Sequence, residues 1–410
     1  MTAYLNALGI ICSLGRSPDE VARRLFAGNC SGIQRASGLV PGRKVSVAGV
    51  QGELAAIPAQ LSAHASRNNQ LLLEAALQIR EPIEQAIRTW GRDRIAIVLG
   101  TSTSGIDEAS QGIAHYLQHQ QFPENYDYQQ QELGAPASFL ADWLNVSGPA
   151  YVISTACTSS ARALMSAQRL LDMNLCDAVL CGGVDSLCKL TLNGFSALEA
   201  VSDERCNPFS ANRCGINIGE AGVLFLMSRQ PAAEHSIALL GAGASSDAHH
   251  ISAPEPTGRG AVQAMHKALH RASLQAGQIG YLNLHGTATR HNDAMESHAV
   301  AQVFPQAVPC SSTKPMTGHT LGAAGALEAA FCWLSLTRGN LLPPHVWDGQ
   351  GDPQLPVLNW VTPGQTLAST QQRCLMSNSF AFGGNNVSLI IGDAPWLLGR
   401  SPNCCPTPAT

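Results

Sequence analysis

Short apolar runs rich in β-branched residues alternate along the chain with longer amphipathic stretches. Arg94-Ile-Ala-Ile-Val-Leu-Gly100 carries no polar side chain between its ends, the pattern of a strand covered on both faces. The same reading predicts strands over Tyr151 to Ala156, Ala178 to Val184 and Gly222 to Ser228, with a helix over Ser159 to Met173. After Pro231 the pattern restarts. A strand is expected at Ile237 to Gly243, a helix at Gly260 to Ala272, a strand at Tyr281 to Leu284 and a helix at Asp293 to Val303. A long Ala-rich helix is expected from Leu321 to Gly339, and Cys374 to Ser377 and Val387 to Ile391 close the chain as strands. Near the start, Ser17-Pro-Asp-Glu20 has the form of a helix N-terminus running to Gly28, and Arg67 to Ile79 reads as a second helix.

Strands alternating with helices predict an α/β protein with parallel sheets under helical cover. The restart near residue 235 predicts two duplicated halves, 1–235 and 236–400, followed by a disordered tail at 401–410. Charged residues make up 13% of the chain, against roughly 25% in ordinary soluble domains. A closely packed body with part of its surface hidden by a second subunit is therefore expected. No apolar run reaches the roughly 18 residues a membrane helix needs, and a net charge of −4 gives no footprint for nucleic acid. Tyr4 to Leu14 lacks a preceding positive residue and is interrupted by Asn6 and Gly9, so it reads as a buried strand rather than a signal peptide. The 13 cysteines are then expected as reduced thiols in the cytoplasm. None forms a C-x-x-C pair, so no zinc site is indicated.

Three segments carry candidate chemistry. Cys157, in Ser154-Thr-Ala-Cys-Thr-Ser-Ser160, lies between a predicted strand and a predicted helix. A thiol there sits near a helix N-terminus, which favours the thiolate. Against this stands the ordinary fate of a cysteine as a small buried residue, the reading kept for Cys12, Cys181 and Cys332. His285 begins His-Gly-Thr-Ala-Thr289, and His319 lies in Lys314-Pro-Met-Thr-Gly-His-Thr-Leu-Gly. Each histidine alone reads as a satisfied core residue. Two in Gly-flanked turns, with Lys314 and a strand-end cysteine, point to nucleophilic catalysis instead. His115/His119 and His266/His270 lack the Glu of H-E-x-x-H and read as solvated helix faces. No nucleotide-binding loop is present.

Together these segments resemble the β-ketoacyl-acyl-carrier-protein synthases of the elongating Cys-His-His type. Asn378-Ser-Phe-Ala-Phe-Gly-Gly384, Pro208-Phe-Ser210, Gly219-Glu-Ala-Gly222, Asp247-Ala-His-His-Ile-Ser-Ala-Pro254 and Leu8-Gly-Ile-Ile-Cys-Ser-Leu-Gly15 fit the same family. The resemblance runs in order from about residue 4 to 393. It implies a thiolase-type fold of five α-β-α-β-α layers, usually dimeric, and an acyltransferase that condenses a Cys157-bound acyl chain with malonyl on an acyl carrier protein. Cys157 would hold the acyl group, His285 and His319 would stabilise the enolate, and Lys314 with Glu328 would support His319. Phe382 would donate its backbone N–H to the oxyanion and act as a gate, with Gly383 and Gly384 setting that geometry. Thr287, Thr289 and Ser252 would line the pantetheine path, and Asp293 and Glu296 would be structural.

No cofactor of its own is implied, since phosphopantetheine arrives on the carrier. The partners implied are the acyl carrier protein and either a second copy or a chain-length partner lacking the cysteine. Thr103 lies in Gly100-Thr-Ser-Thr-Ser-Gly105, which resembles the family's segment lining the acyl pocket across the dimer, and would make that pocket more polar. Ala381, Asn385 and Asn212-Arg-Cys214 also depart from the family pattern. These departures point from fatty acid synthesis toward specialised polyketide or aryl-polyene synthesis. The alternative is a non-catalytic chain-length subunit, against which the retained Cys157, His285, His319 and Lys314 argue.

Overall fold

The computed structural model describes residues 2–233, 236–368 and 372–394. The tail expected at 401–410 and residues 395–400 lie outside the described residues. Ten strands form the body: β1 (Ala3–Cys12), β2 (Ile95–Gly100), β3 (Ala150–Ile153), β4 (Ala178–Asp185), β5 (Ala221–Ser228), β6 (Ile237–Ser246), β7 (Tyr281–Asn283), β8 (Pro309–Ser311), β9 (Cys374–Phe380) and β10 (Asn385–Asp393). With a two-residue edge strand, Asn359–Trp360, they make one eleven-stranded sheet. Outward from its middle the first half runs β1-β5-β4-β2-β3, and the second runs β6-β10-β9-β7-β8. Both sets therefore take their first, fifth, fourth, second and third strands in the same spatial order. In each set the first two pairings are antiparallel and the next two parallel. The sets meet where Ala3 and Tyr4 of β1 pair with β6.

The sheets are thus mixed, not parallel as the strand-helix alternation predicted. The cause is that β1 and β6 return against the last strand of their own half by antiparallel pairing, which the sequence pattern does not distinguish. A small separate sheet, Ile33–Val40 with Arg43–Ala48 and Ile218–Gly219, was also not foreseen. Its first strand is largely exposed and gives no clean alternation.

Two helices, α3 (Ser159–Asp172) and α6 (Ala324–Thr337), pack on each other and touch strands of both halves. They form the middle layer. On the outside, α2 (Arg67–Gln78) covers β1, β5 and β4, while α4 (Arg259–Ala272) covers β6 and β10 and packs on α5 (Arg290–Val303). The result is the five-layered thiolase-type body. The small first helix, α1 (Pro18–Phe26), starts as expected: Ser17 Oγ accepts from Glu20 N–H at 3.3 Å.

Small residues decide the central packing. A Cβ on Gly325 would stand 2.7 Å from Ala161 Cβ, and one on Gly100 would stand 2.2 Å from Ser160 N. Only glycine lets α6 and the end of β2 approach the start of α3 so closely. Twelve of the fourteen residues of α6 are buried, Glu328 among them. That explains its missing polar face, since a helix buried all round carries no amphipathic stripe. The helix expected from Leu321 begins instead with a 3-10 turn, Leu321–Ala323, and becomes α-helical at Ala324.

Candidate active site

Cys157 stands in a tight elbow between β3 and α3. Strand β3 ends at Ile153 rather than at Ala156, because Ala156 takes a left-handed conformation with φ 51°. Such a φ is costly for a residue with a Cβ, and hydroxyls hold the chain there. Ser159 Oγ accepts from Thr155 N–H at 2.9 Å and donates to Ala156 O at 2.6 Å, and Thr158 Oγ1 donates to Thr155 O at 2.8 Å. The elbow projects the thiol toward the second half of the molecule.

There it meets His319. The two groups lie with Nε2 and Sγ 2.9 Å apart. The His319 backbone is pinned from both sides: its N–H donates to Asn217 O at 2.6 Å, and its carbonyl accepts from Gly219 N–H at 2.9 Å. His285, at the end of β7, stands edge-on to His319 with ring centroids 5.3 Å apart and planes at 84°. Its turn is held by Glu296, whose carboxylate accepts from His285 N–H and Gly286 N–H, each at 2.7 Å. Asp293 accepts from Phe209 N–H at 2.7 Å and Ala288 N–H at 3.2 Å. Both acids therefore brace backbone around the His285 turn.

Burial and Lys314 push both catalytic-site imidazoles well below the usual histidine pKa, so they are neutral near pH 7. Burial also pushes the Cys157 thiol up to about 12; the Lys314 charge and the backbone N–H groups of Phe382 and Cys157 act the other way and are outweighed. Burial thus opposes the thiolate that the helix end was expected to favour. Cys157 precedes the N-cap, Thr158, and its desolvation exceeds what the helix terminus provides. The thiol therefore meets a neutral imidazole, His319, at hydrogen-bond distance. The backbone N–H groups of Phe382 and Cys157 both face the sulfur.

Lys314 and Glu328 are both buried and paired, Nζ to Oε1 2.5 Å. Burial raises Glu328 to about 7 against the opposing pull of Lys314. Phe382 leans on Phe195 with centroids 5.6 Å apart. Gly383 and Gly384 follow it with φ of 86° and 78°, and Gly383 N–H donates to Ile251 O at 2.8 Å.

Cys157, His285 and His319 share a cavity of about 630 Å³ with Thr287, Thr289, Ser252 and Phe382. The Thr287 and Thr289 hydroxyls lie 2.9 Å apart. Thr103 is not in this cavity. It is buried, and its N–H and hydroxyl both donate to Asp185 Oδ1, at 2.9 and 2.8 Å. Asp185 also accepts from Thr101 Oγ1, Ser102 N–H and Gly322 N–H. The polar groups of Thr103 are thus directed at Asp185. Asp185 itself, Phe195, Asn217 and Phe380, which stands edge-on to His285, escaped the sequence reading. Only the polar Asp185, closing an otherwise apolar run, offered a signal.

The fold and this trio together define the class: a thiolase-type protein with a Cys-His-His site at the junction of its halves. The profile "Beta-ketoacyl synthase, N-terminal domain" matches residues 7–232 and "Beta-ketoacyl synthase, C-terminal domain" matches residues 237–346. The chain belongs to the beta-ketoacyl synthase family. It is 36% identical over 260 residues, 60% of this chain and 61% of the relative, to 3-oxoacyl-[acyl-carrier-protein] synthase 2 of Rhizobium meliloti (strain 1021). A mitochondrial 3-oxoacyl-[acyl-carrier-protein] synthase of Arabidopsis thaliana is 38% identical over 261 residues, 59% of this chain and 56% of that one. The match thus spans about three fifths of the length of these curated relatives. Among solved structures, the ketosynthase ApeO in complex with its chain length factor ApeC from Xenorhabdus doucetiae matches with TM-score 0.91 and 49% identity, covering 96% of this chain and 98% of that chain. The ishigamide ketosynthase/chain length factor matches with TM-score 0.85 and 26% identity, covering 96% and 99%.

Proposed function

We propose that the chain is a β-ketoacyl-acyl-carrier-protein synthase that performs decarboxylative Claisen condensation. The observation that carries this reading is the placement of a neutral imidazole, His319 Nε2, 2.9 Å from Cys157 Sγ, with His285 beside it. In the first half-reaction the thiol gives its proton to His319 as sulfur attacks the acyl thioester. The tetrahedral oxyanion is held by the N–H groups of Cys157 and Phe382, and it collapses to expel the pantetheine thiol, which takes the proton. In the second, malonyl thioester loses CO₂, the electron pair of the broken C–C bond becomes an enolate, and its oxygen accepts N–H bonds from His285 and His319. The enolate carbon attacks the Cys157 thioester, a C–C bond forms, and the thiolate leaves and is reprotonated. Because decarboxylation itself generates the carbanion, this scheme uses no metal or redox cofactor; phosphopantetheine comes on the carrier.

The carrier is an acyl carrier protein, and the second partner is another copy or a chain length factor. Support for the second partner comes from strand β3, which within the described residues pairs on one side only, with β2. A specialised polyketide pathway is favoured over fatty acid synthesis by the 49% identity across 96% of the chain to a chain of a ketosynthase–chain length factor complex. That compares with 36% over 60% for the 3-oxoacyl synthase of R. meliloti. The aryl-polyene branch of that reading stands on the family resemblance alone. A reducing cytoplasm fits the free thiols of all eleven described cysteines. The alternative of a non-catalytic chain-length subunit has no use for the Cys157–His319 pair.

Intact mass spectrometry after incubation with an acyl carrier thioester tests the assignment. An acyl adduct mapped to Cys157 and released on adding malonyl carrier, with one CO₂ per product, is expected. An adduct elsewhere, or none, would sink it.

A further inference from the structure

Cys157 Sγ and the ring nitrogens of His285 and His319 all lie within 4.8 Å of one another, and all three residues are buried. Among the described residues this is the one trio of histidine, cysteine or acidic side chains whose donor atoms converge in this way. One thiolate and two imidazoles is a donor set that soft divalent cations prefer. Tetrahedral zinc, with bonds of about 2.3 Å to sulfur and about 2.0–2.1 Å to nitrogen, spaces such donors about 3.5 Å apart. The observed Sγ–Nε2 separation is 2.9 Å and the outer limit is 4.8 Å. Shifts of about an ångström or less would therefore assemble three zinc ligands. The fourth position faces the cavity of about 630 Å³. Charge does not oppose entry as strongly as Lys314 alone would suggest, because Glu328 pairs with it at 2.5 Å.

We infer that the active site reversibly binds one zinc-class divalent cation through Cys157, His285 and His319, and that the cation and the acyl group compete for the same sulfur. The competition rests on Cys157 being the acyl-holding residue. In the binding step a hydrated cation gives up all but one of its water ligands, forms one bond to sulfur and two to nitrogen, and keeps that water in the fourth position. The Cys157 S–H bond breaks and its proton passes to solvent. No oxidant or reductant takes part. An acylated Cys157 has no thiolate to offer, so loading closes the site to metal.

The site is built for transient occupancy. The Nδ1 atoms of His285 and His319 are buried without a hydrogen-bond partner, whereas histidines of resident metal sites donate their second N–H to a carboxylate or carbonyl. Losing such an outer partner alone costs about 10–100-fold in affinity. The consequence is reversible inhibition by free zinc rather than a structural ion.

Cadmium titration of the full chain, followed by the ultraviolet sulfur-to-metal charge-transfer band, tests the site. Cys214→Ala is included because that exposed thiol lines the same cavity. A band saturating at one equivalent is expected in the wild type and in Cys214→Ala, and none in Cys157→Ala or in the acylated protein. His285→Ala and His319→Ala are each expected to weaken binding by about 100-fold or more, beyond the loss of an outer partner. A band that survives Cys157→Ala or acylation, or that ignores both histidine changes, overturns the site. A wild-type measurement avoids dependence on variant folding: zinc should protect Cys157 from iodoacetamide, reversibly with chelator, and absence of protection overturns the proposal. Metal binding with no acyl loading would instead remove the condensing-enzyme reading and leave the metal site standing.

Discussion

Lys314 and Glu328 form an ion pair 2.5 Å long with both side chains almost fully enclosed. They come from opposite sides of the His319 turn, Lys314 from the short helix before it and Glu328 from α6. A buried pair of this kind is costly to break on one side, by about 3–5 kcal/mol, because the remaining charge is left without a partner. Glu328→Gln is therefore expected to lower unfolding stability by that order, measured by urea titration. The double change Lys314→Met with Glu328→Met should recover a large part of it. Equal losses in the single and double variants would show that the pair is not what holds this region.

His319 touches the sulfur and His285 does not, which separates their roles. His319→Ala is expected to slow acyl loading of Cys157 as well as condensation. His285→Ala should leave loading within a few-fold and lower condensation by about 10²–10³, the scale of one lost oxyanion donor. Intact mass for the first step and product chromatography for the second provide the two readouts. Equal effects of both variants on loading would contradict this division.

The pKa of the Cys157 thiol, pushed up to about 12 by burial, gives a pH signature. A thiol protonated throughout the neutral range should react with iodoacetamide about tenfold faster per pH unit from pH 7 to pH 10, since only the thiolate reacts. A rate already level at pH 8 would mean that His319 takes the proton in the resting state.

The loop after Phe382 separates two kinds of glycine. Gly383 and Gly384 both have positive φ, but a Cβ on Gly383 meets nothing within 4 Å while one on Gly384 would stand 2.9 Å from Asp247 Cβ. Gly383→Ala is expected to cost about 1–2 kcal/mol of backbone strain, and Gly384→Ala more, with a larger fall in kcat because Phe382 N–H is displaced. Phe382→Ala should keep the oxyanion N–H while disturbing ordered loading of acyl and malonyl donors. Unchanged kinetics with both donors would remove its gating role.

Burial pushes His345, stacked on Trp360 with centroids 4.1 Å apart, down to about 3. Its unfolded value is about 6.5. Between those values the unfolded chain binds the proton and the folded chain does not, so His345 contributes stability that is complete above about pH 6.5 and is lost as the pH falls toward 3. His345 Nδ1 accepts from Ser312 N–H at 3.2 Å. His345→Gln can keep that acceptor and remove the titration, so its urea midpoint should fall less than the wild type's between pH 6.5 and 5. An identical fall in both would assign the acid sensitivity to other groups.

Much of the body was legible in the letters. Runs such as Ile95 to Gly100 and Ala178 to Asp185 are buried on both faces, and that burial is what makes them uniformly apolar. Helix starts such as Ser17-Pro18 announce themselves because capping is a local interaction. Strand direction, the small sheet around Arg43 to Ala48 and the break at Leu321 were not legible, because each depends on what the segment meets across the chain.

For the site, the sequence by itself determined which chemistry was available: a thiol before a helix, two histidines in glycine turns, a lysine and a gly-rich loop. Only the tertiary structure decided how they act. It brought Cys157 and His319, 162 residues apart in sequence, to 2.9 Å and buried the thiol, which opposes the ionisation expected of it at a helix start. It also set the polar groups of Thr103 against Asp185. The physical reason is the same in each case. Residue type fixes which bonds a side chain can make, but burial and the partner across the fold fix which bonds it does make and which charge it carries.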